Sequence, residues 1–310
     1  MEIILILALA LALDLALGDP PNAIHPVAWM GKVISFLEKG GRGHYPSFQL
    51  IYGIVMILFT IAIFVIPLYF MFLYLGHLSL IASTIAAAAL LKCTFSIKGL
   101  QRAALKVKVL LQEKKPDEAR QELRSLVSRD TRDLPEPLLI SATVESVAEG
   151  VCDSLVAPLF YFLLFSLPGI VAYRVVNTMD SMIGYHGKYE YLGKFTARLD
   201  DMLNFIPARL SALLIVLAAF LMKRNGRNSW ETALREHTRT ESPNAGWPMA
   251  AMAGALNAQL EKVGHYKLGK ETAALIPETI DTSVNFFLMA ASAWVLICFV
   301  VGVISFVFAT

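Results

Sequence analysis

Two uncharged apolar runs constrain this chain more than any other feature. Leu50 to Leu75 and Phe286 to Phe308 contain no Asp, Glu, Lys or Arg. As helices rising about 1.5 Å per residue, each is long enough to cross a hydrocarbon core of about 30 Å. They lie far apart in a chain of 310 residues, so the prediction is a membrane protein rather than a soluble domain with one apolar core. Composition agrees. The chain is 56% hydrophobic and 17% charged, whereas soluble domains carry about 25% charged residues. Leu155 to Val176 is a third candidate span, interrupted by Pro158 and Pro168-Gly169, and Phe205 to Met222 is a fourth. Leu78 to Leu91 follows a break at Gly76-His77 and reads as the second arm of a helical hairpin whose first arm kinks at Pro67.

Ile3 to Leu17 is also apolar, but its fifteen residues reach only about 22 Å. No basic residue precedes it and Asp14 lies inside it, so it reads as a retained first helix rather than a cleaved signal. The expected fold is all-α: a polytopic helical membrane protein with five or six membrane helices, forming one membrane-embedded catalytic unit over residues 1–310.

Two polar stretches interrupt the apolar pattern. Between Lys92 and Asp153, Leu100, Ala104, Val107 and Leu111 fall at helical spacing, as do Ala119, Leu123 and Leu126 after Pro116. Two amphipathic helices docked on the membrane face are expected there. Eleven Lys or Arg residues between Lys92 and Arg132 assign this insertion to the cytoplasm. The basic loop region at about 223–284 is expected on the same side. The segment from Asn177 to Asn204 then lies outside, or is re-entrant, or follows a span that turns back at Pro168-Gly169. A net charge of +2 without a basic, aromatic stripe gives no reason to expect nucleic acid. Cys93, Cys152 and Cys298 have neither metal-ligand spacing nor a disulfide framework. Phosphate loops of the Walker type, nucleophile elbows and His-Glu-x-x-His sites are all absent from the sequence, which removes several enzyme classes.

Chemistry-bearing residues concentrate in a few places. Glu145, Glu149 and Asp153 follow at i, i+4 and i+8, which on a regular helix puts three carboxylates on one face. Hard oxygen donors of this kind suit Mg²⁺, although a solvated helix face has the same pattern. In Ser128-Arg129-Asp130-Thr131, Arg129 can grip a phosphate or carboxylate with paired donors, and Asp130 can cap a following helix. Asn177, Asp180, Arg198, Asp200, Asp201 and Arg209 flank the short loop between two apolar segments, more charge than interface anchoring needs. Asp14, Asp19 and His25 cluster beside the first helix. Pro243, Asn244, Gly246, Trp247 and Pro248 lead into a run of small residues that includes Gly254. Such a run packs closely against another helix or a large flat ligand.

Gly18-Asp19-Pro20-Pro21, His25-Pro26-Val27, Ser128 to Thr131, Glu145 to Glu149, Val156 to Phe160, Asn177 to Gly184, Arg198 to Arg209 and Pro243 to Leu256 occur in this order. Together they resemble the CbiB/CobD family, the adenosylcobinamide-phosphate synthases of cobalamin biosynthesis. Two positions depart from the pattern: Gly150 stands where the family usually has Asn, and Ser154 where it usually has Gly. The resemblance implies ATP-dependent amide formation. The f propionate carboxyl of adenosylcobyric acid is joined to the amine of (R)-1-aminopropan-2-ol phosphate, or of free aminopropanol, after activation as an acyl phosphate.

On that reading ATP and Mg²⁺ are the cofactors and the lipid bilayer of the cell membrane is the setting, with the active site on the cytoplasmic side. Residue chemistry then assigns Glu145, Glu149 and Asp153 to Mg²⁺ or to proton transfer, with Asp180, Asp200 and Asp201 completing the catalytic set. Arg129, Asn177, Arg198 and Arg209 are expected on ATP and phosphate. Asp14, Asp19, His25, Asn244, Gly246, Trp247 and Gly254 are expected on substrate. A non-catalytic sensor of the AmpE type would lack the joint acidic and arginine motifs, and a transporter would show paired inverted halves.

Overall fold

The computed structural model describes residues 2–309. It is helical almost throughout, as expected. Helices α1 (Glu2–Leu17) and α2 (Pro26–Gly41) are separated by Pro20 and Pro21, which cannot continue a helical ladder. Pro26 opens α2, and His25 caps it by accepting the Val27 N–H on Nδ1 at 3.2 Å. Next come α3 (Pro46–Leu78), continuous through Pro67, and α4 (Leu80–Lys92), which Ser79 caps. The polar stretch forms α5 (Lys98–Gln112), α6 (Pro116–Leu123) and α7 (Glu136–Val151). Ala104, Val107, Leu111, Ala119 and Leu123 are buried, so the helical periodicity of this stretch was read correctly. Their cover is protein, since α5 and α6 pack on each other and on α7.

A π-helical turn (Cys152–Val156) leads into α8 (Ala157–Ile183). Pro158 has no N–H to return to the carbonyl four residues back, and the ladder widens just before it. Within α8, Ser166 leaves helical geometry at φ 56°, ψ −151°. The chain doubles back there. Tyr161 and Tyr173 would lie about 18 Å apart along a straight helix, yet their rings stack with centroids 5.1 Å apart. The turn falls beside Pro168-Gly169, one of the alternatives the sequence left open.

The remaining elements are α9 (Lys194–Leu203), α10 (Phe205–Leu221), α11 (Gly226–Glu236), α12 (Gly246–Leu256) and α13 (Pro277–Ala309). A short hairpin of β1 (Leu260–Lys262) and β2 (Tyr266–Leu268) lies before α13, pairing Leu260 with Leu268 and Lys262 with Tyr266. Gly264 at φ +78° closes its turn. This hairpin lies within the polar region at about 223–284.

By length and composition, three helical segments of the described residues can cross a membrane: Pro46–Leu78, Glu136–Ile183 and Pro277–Phe308. A fourth exists if α9 and α10 are taken as one bent span. By this measure there are three or four candidates, against the five or six membrane helices expected. The sixteen residues of α1 and thirteen of α4 are too short, although both are apolar.

The chain divides into two compact units, neither of them contiguous in sequence. One holds the residues through Ser96, Pro158–Leu203 and those from Cys298 onward; within it α1 packs on α4, and α3 on α2, α4 and α9. The other holds Ile97–Ala157 and Asn204–Ile297, with α7 and α12 at its centre. Every residue of α7 from Leu139 to Ala148 is buried, so this helix is core on all sides rather than part of a solvated insertion.

Candidate active site

In the unit built on α7, Glu145 is the organising residue. Its side chain is only 5% exposed. Ser141, one turn earlier, donates to Oε1 at 2.6 Å. Arg129 Nη2 and the Tyr266 hydroxyl donate to Oε2 at 3.1 and 2.8 Å. Ser141 in turn accepts the Glu261 N–H at 2.8 Å. One carboxylate thus ties together the turn before α7, α7 itself and the β-hairpin. Burying this charge is tolerable because three donors, one of them cationic, face it. Burial, together with the charge of Glu145 and Glu149, raises the pKa of Tyr266, which therefore stays a neutral hydrogen-bond donor.

Glu149 is half-buried one turn further on. Asp153 and Glu145 act on it as like charges, with Lys262 and Arg129 opposing them. The helical register breaks between Glu149 and Asp153. The Cys152 N–H returns to Glu149 O, three residues back, and the π turn begins. Among the described residues no three Asp, Glu, His or Cys side chains converge as a cation site. The three-carboxylate metal site expected at Glu145, Glu149 and Asp153 is therefore not preformed, since Glu145 is committed to its donors and Asp153 lies past the register break. Gly150, the departure from the family pattern, has Leu100 of α5 packed where a side chain would start. An Asn there would have to displace it. Asp130, expected as a helix cap, instead binds the Arg132 N–H at 3.0 Å and its guanidinium. The hydrogen bonds from Arg132 hold the Asp130 carboxyl down at about 2.

A second arrangement in this unit surrounds the segment from Asn244 to Trp247. Arg209 Nη1 donates to Asn244 Oδ1 at 2.9 Å and to Phe205 O at 2.7 Å. Its guanidinium lies 3.7 Å from the Phe205 ring centroid and 5.1 Å from that of Trp247. Trp247 stacks on His237 at 3.9 Å. Gly246 and Gly254 do not face open space. A Cβ on Gly246 would strike His237 O, and one on Gly254 would come within 2.5 Å of Asn228 O and 2.7 Å of Ser229 Cα. Both glycines serve close backbone packing. The space beside Gly254 is taken by α11.

In the other unit, Lys92 at the end of α4 is the residue the sequence reading missed. Its Nζ lies 2.8 Å from Asp14 Oδ1 and 2.6 Å from Asp19 Oδ1. Ser96 donates to Asp19 Oδ2 at 2.6 Å. Burial opposes ionisation of Asp19, but the hydrogen bonds from Lys92 and Ser96 outweigh it and hold the carboxyl below its ordinary value. Burial lowers the pKa of His25, with Asp19 opposing, which preserves the neutral ring that caps α2. Arg174 donates to Asn177 Oδ1 at 3.1 Å, and Asn177 Nδ2 lies 3.5 Å from Asp200 Oδ1, joining the ends of α8 and α9. Asp180 and Asp201 are half-buried on the same two helices, while Arg198 is exposed.

Lys92, Ser141, Lys262 and Tyr266 gave no motif signal. The one available cue was Val263-Gly264 between short polar-apolar alternations, which marks a hairpin turn.

A family model described as CobD/Cbib protein matches residues 7–287. A cobalamin biosynthesis protein CobD of Dehalococcoides mccartyi is 55% identical over 306 residues, covering 99% of each chain. A probable cobalamin biosynthesis protein CobD of Methanothermobacter thermautotrophicus is 43% identical over 265 residues, 85% of this chain and 86% of that one. A similarly described protein of Thermococcus kodakarensis is 39% identical, over 93% of this chain and 92% of its own. No solved structure matches. The chain is a helical protein with membrane-span candidates, and it belongs to the CobD/CbiB family.

Proposed function

We propose that this protein acts in cobalamin biosynthesis as an ATP-dependent acid–amine ligase of the cell membrane. It would join the f propionate carboxyl of adenosylcobyric acid to the amine of (R)-1-aminopropan-2-ol phosphate or of free aminopropanol. The product would be adenosylcobinamide phosphate or its unphosphorylated counterpart. The names of the relatives support the pathway. The residues around α7 support the reaction.

The observation that carries this reading is the division of labour along α7. Glu145 is fixed by three donors, while Glu149 sits next to it under the influence of both carboxylates and cations. In the reaction an N–C bond forms, the carboxyl C–O bond breaks, and the oxygen leaves with a phosphoryl group taken from ATP. The attacking amine must be neutral and must lose a proton, which a carboxylate at this position can take up. Arg129 and Lys262 supply positive charge for phosphate oxygens.

Mg²⁺, when bound, would offset the phosphate charge. It is usually held by one or two carboxylates together with phosphates and water. Glu149 and Asp153 fit that donor set better than a closed cage of three would.

The test is direct. Purified full-length protein in lipid is given adenosylcobyric acid, the amine, ATP and Mg²⁺, and the product is identified by chromatography and mass. Omission of ATP, of Mg²⁺ or of the amine is expected to abolish it. Amide formation without ATP, or none with every component present, would reject the proposal.

A further inference from the structure

Between the turn that carries Arg129 and the β1–β2 hairpin lies a cavity of about 160 Å³, lined among others by Arg129, Asp130, Glu261, Lys262 and His265. It is smaller than the roughly 300–1,000 Å³ of pockets that enclose whole ligands, so it suits one charged group of a ligand. The charges around it do not cancel locally. Asp130 is paired with Arg132 at 2.5 Å, and Glu261 with Lys267 at 3.0 Å. His265 lies 2.8 Å from Glu241. The Lys262 side chain, by contrast, has no hydrogen-bonded or ion-paired partner among the described residues. Arg129 uses only Nη2, on Glu145, and its Nε is buried without a hydrogen-bond partner. Buried donors are nearly always matched in folded proteins, and an unmatched one calls for an explanation.

We propose that this cavity is a phosphate-monoester site, with Arg129 and Lys262 as its charged donors and His265 at its rim. Two phosphates satisfy the same chemistry: that of aminopropanol phosphate and the terminal phosphates of ATP. The proposal deepens the ligase reading, because it gives that reaction a phosphate anchor beside Glu145 and adds Lys262, which no sequence motif marked. The β-hairpin acquires a role as well. Its turn places Lys262 and His265 opposite Arg129, and the bond from Glu261 N–H to Ser141 holds it to α7.

The experiment compares wild type with Lys262→Met and Lys262→Arg in the purified full chain. Loss of one charge-assisted hydrogen bond is expected to raise the KM of the phosphate-bearing substrate about tenfold to a hundredfold. Lys262→Arg should restore most of it. A rise for aminopropanol phosphate but not for free aminopropanol or ATP assigns the site to the amine substrate; a rise for ATP alone assigns it to the nucleotide. Unchanged KM for all three in Lys262→Met overturns the site. Calorimetry with inorganic phosphate as the probe gives a readout independent of turnover. Saturable binding to wild type that is lost in Lys262→Met is expected. No binding of inorganic phosphate to wild type overturns the site even if synthesis proceeds. Phosphate binding without any synthesis rejects the ligase reading and leaves the site standing.

Discussion

Two glutamates one turn apart on α7 have opposite prospects under mutation. Glu145 answers three donors, so Glu145→Ala strands Arg129 and Tyr266 in a buried setting. Breaking a buried pair from one side costs about 3–5 kcal/mol, and thermal unfolding of the purified protein should show a loss of that size. Glu149→Gln keeps side-chain volume and removes one of several like charges. Folding should be retained while synthesis falls about a hundredfold or more, the scale of a lost proton acceptor. Wild-type turnover by Glu149→Gln across a Mg²⁺ titration would remove Glu149 from the site. Asp19 allows a test by pH. Its folded carboxyl titrates below the ordinary 3.8, so its ion pair with Lys92 is at full strength above that value. The contribution is lost as pH falls through the lower folded value. The melting-temperature gap between wild type and Asp19→Asn should therefore stay constant from neutral pH to about 5 and close below about 4.

At the scale of elements, the run of small residues in α12 decides how closely two helices approach. Asn228 O and Ser229 Cα of α11 already occupy the space beside Gly254. Ser229 also donates to Ala251 O at 2.7 Å, and Asn228 Nδ2 to Gly254 O at 2.8 Å. Overpacking a core costs about 1–3 kcal/mol even where side chains can give way, and here the neighbour is backbone. Gly254→Leu should lower the yield of folded protein while leaving the KM of the surviving enzyme for adenosylcobyric acid unchanged. A normal yield with a raised KM would return α12 to the corrin pocket. The small-residue run was legible in sequence; its partner was not, because a stripe of Ala and Gly fits another helix and a flat ligand equally well.

For the molecule as a whole, the polar segments on either side of α8 to α10 share a side of the membrane, since they touch. Lys108 meets Asp281 at 2.7 Å, and Gln112 donates to Glu278 at 2.8 Å. We propose that this side is the cytoplasm, on the excess of Lys and Arg before α7. In a chain stripped of its own cysteines, single cysteines at Gln112 and Glu271 should resist an impermeant thiol reagent in intact cells and react after permeabilisation. Labelling of either from outside would invert the arrangement.

The sequence by itself determined the apolar segments, the periodicity of α5 and α6, the helical class and the family, because these depend on composition and on residues near one another in the chain. Tertiary structure alone decided the rest. That α8 doubles back at Ser166 depends on what the chain packs against, not on Pro168 alone, since α3 continues as one helix through Pro67. That α7 is buried on every face from Leu139 to Ala148 could not be read from its six polar side chains, which look solvated until their partners are known. The partners Arg129, Tyr266 and Glu261 come from segments up to 121 residues away. Lys92 likewise meets Asp14 and Asp19 only through the packing of α1 on α4. Short-range pattern fixes an element, whereas the charge that a buried carboxylate can bear is set by donors the fold brings from far along the chain.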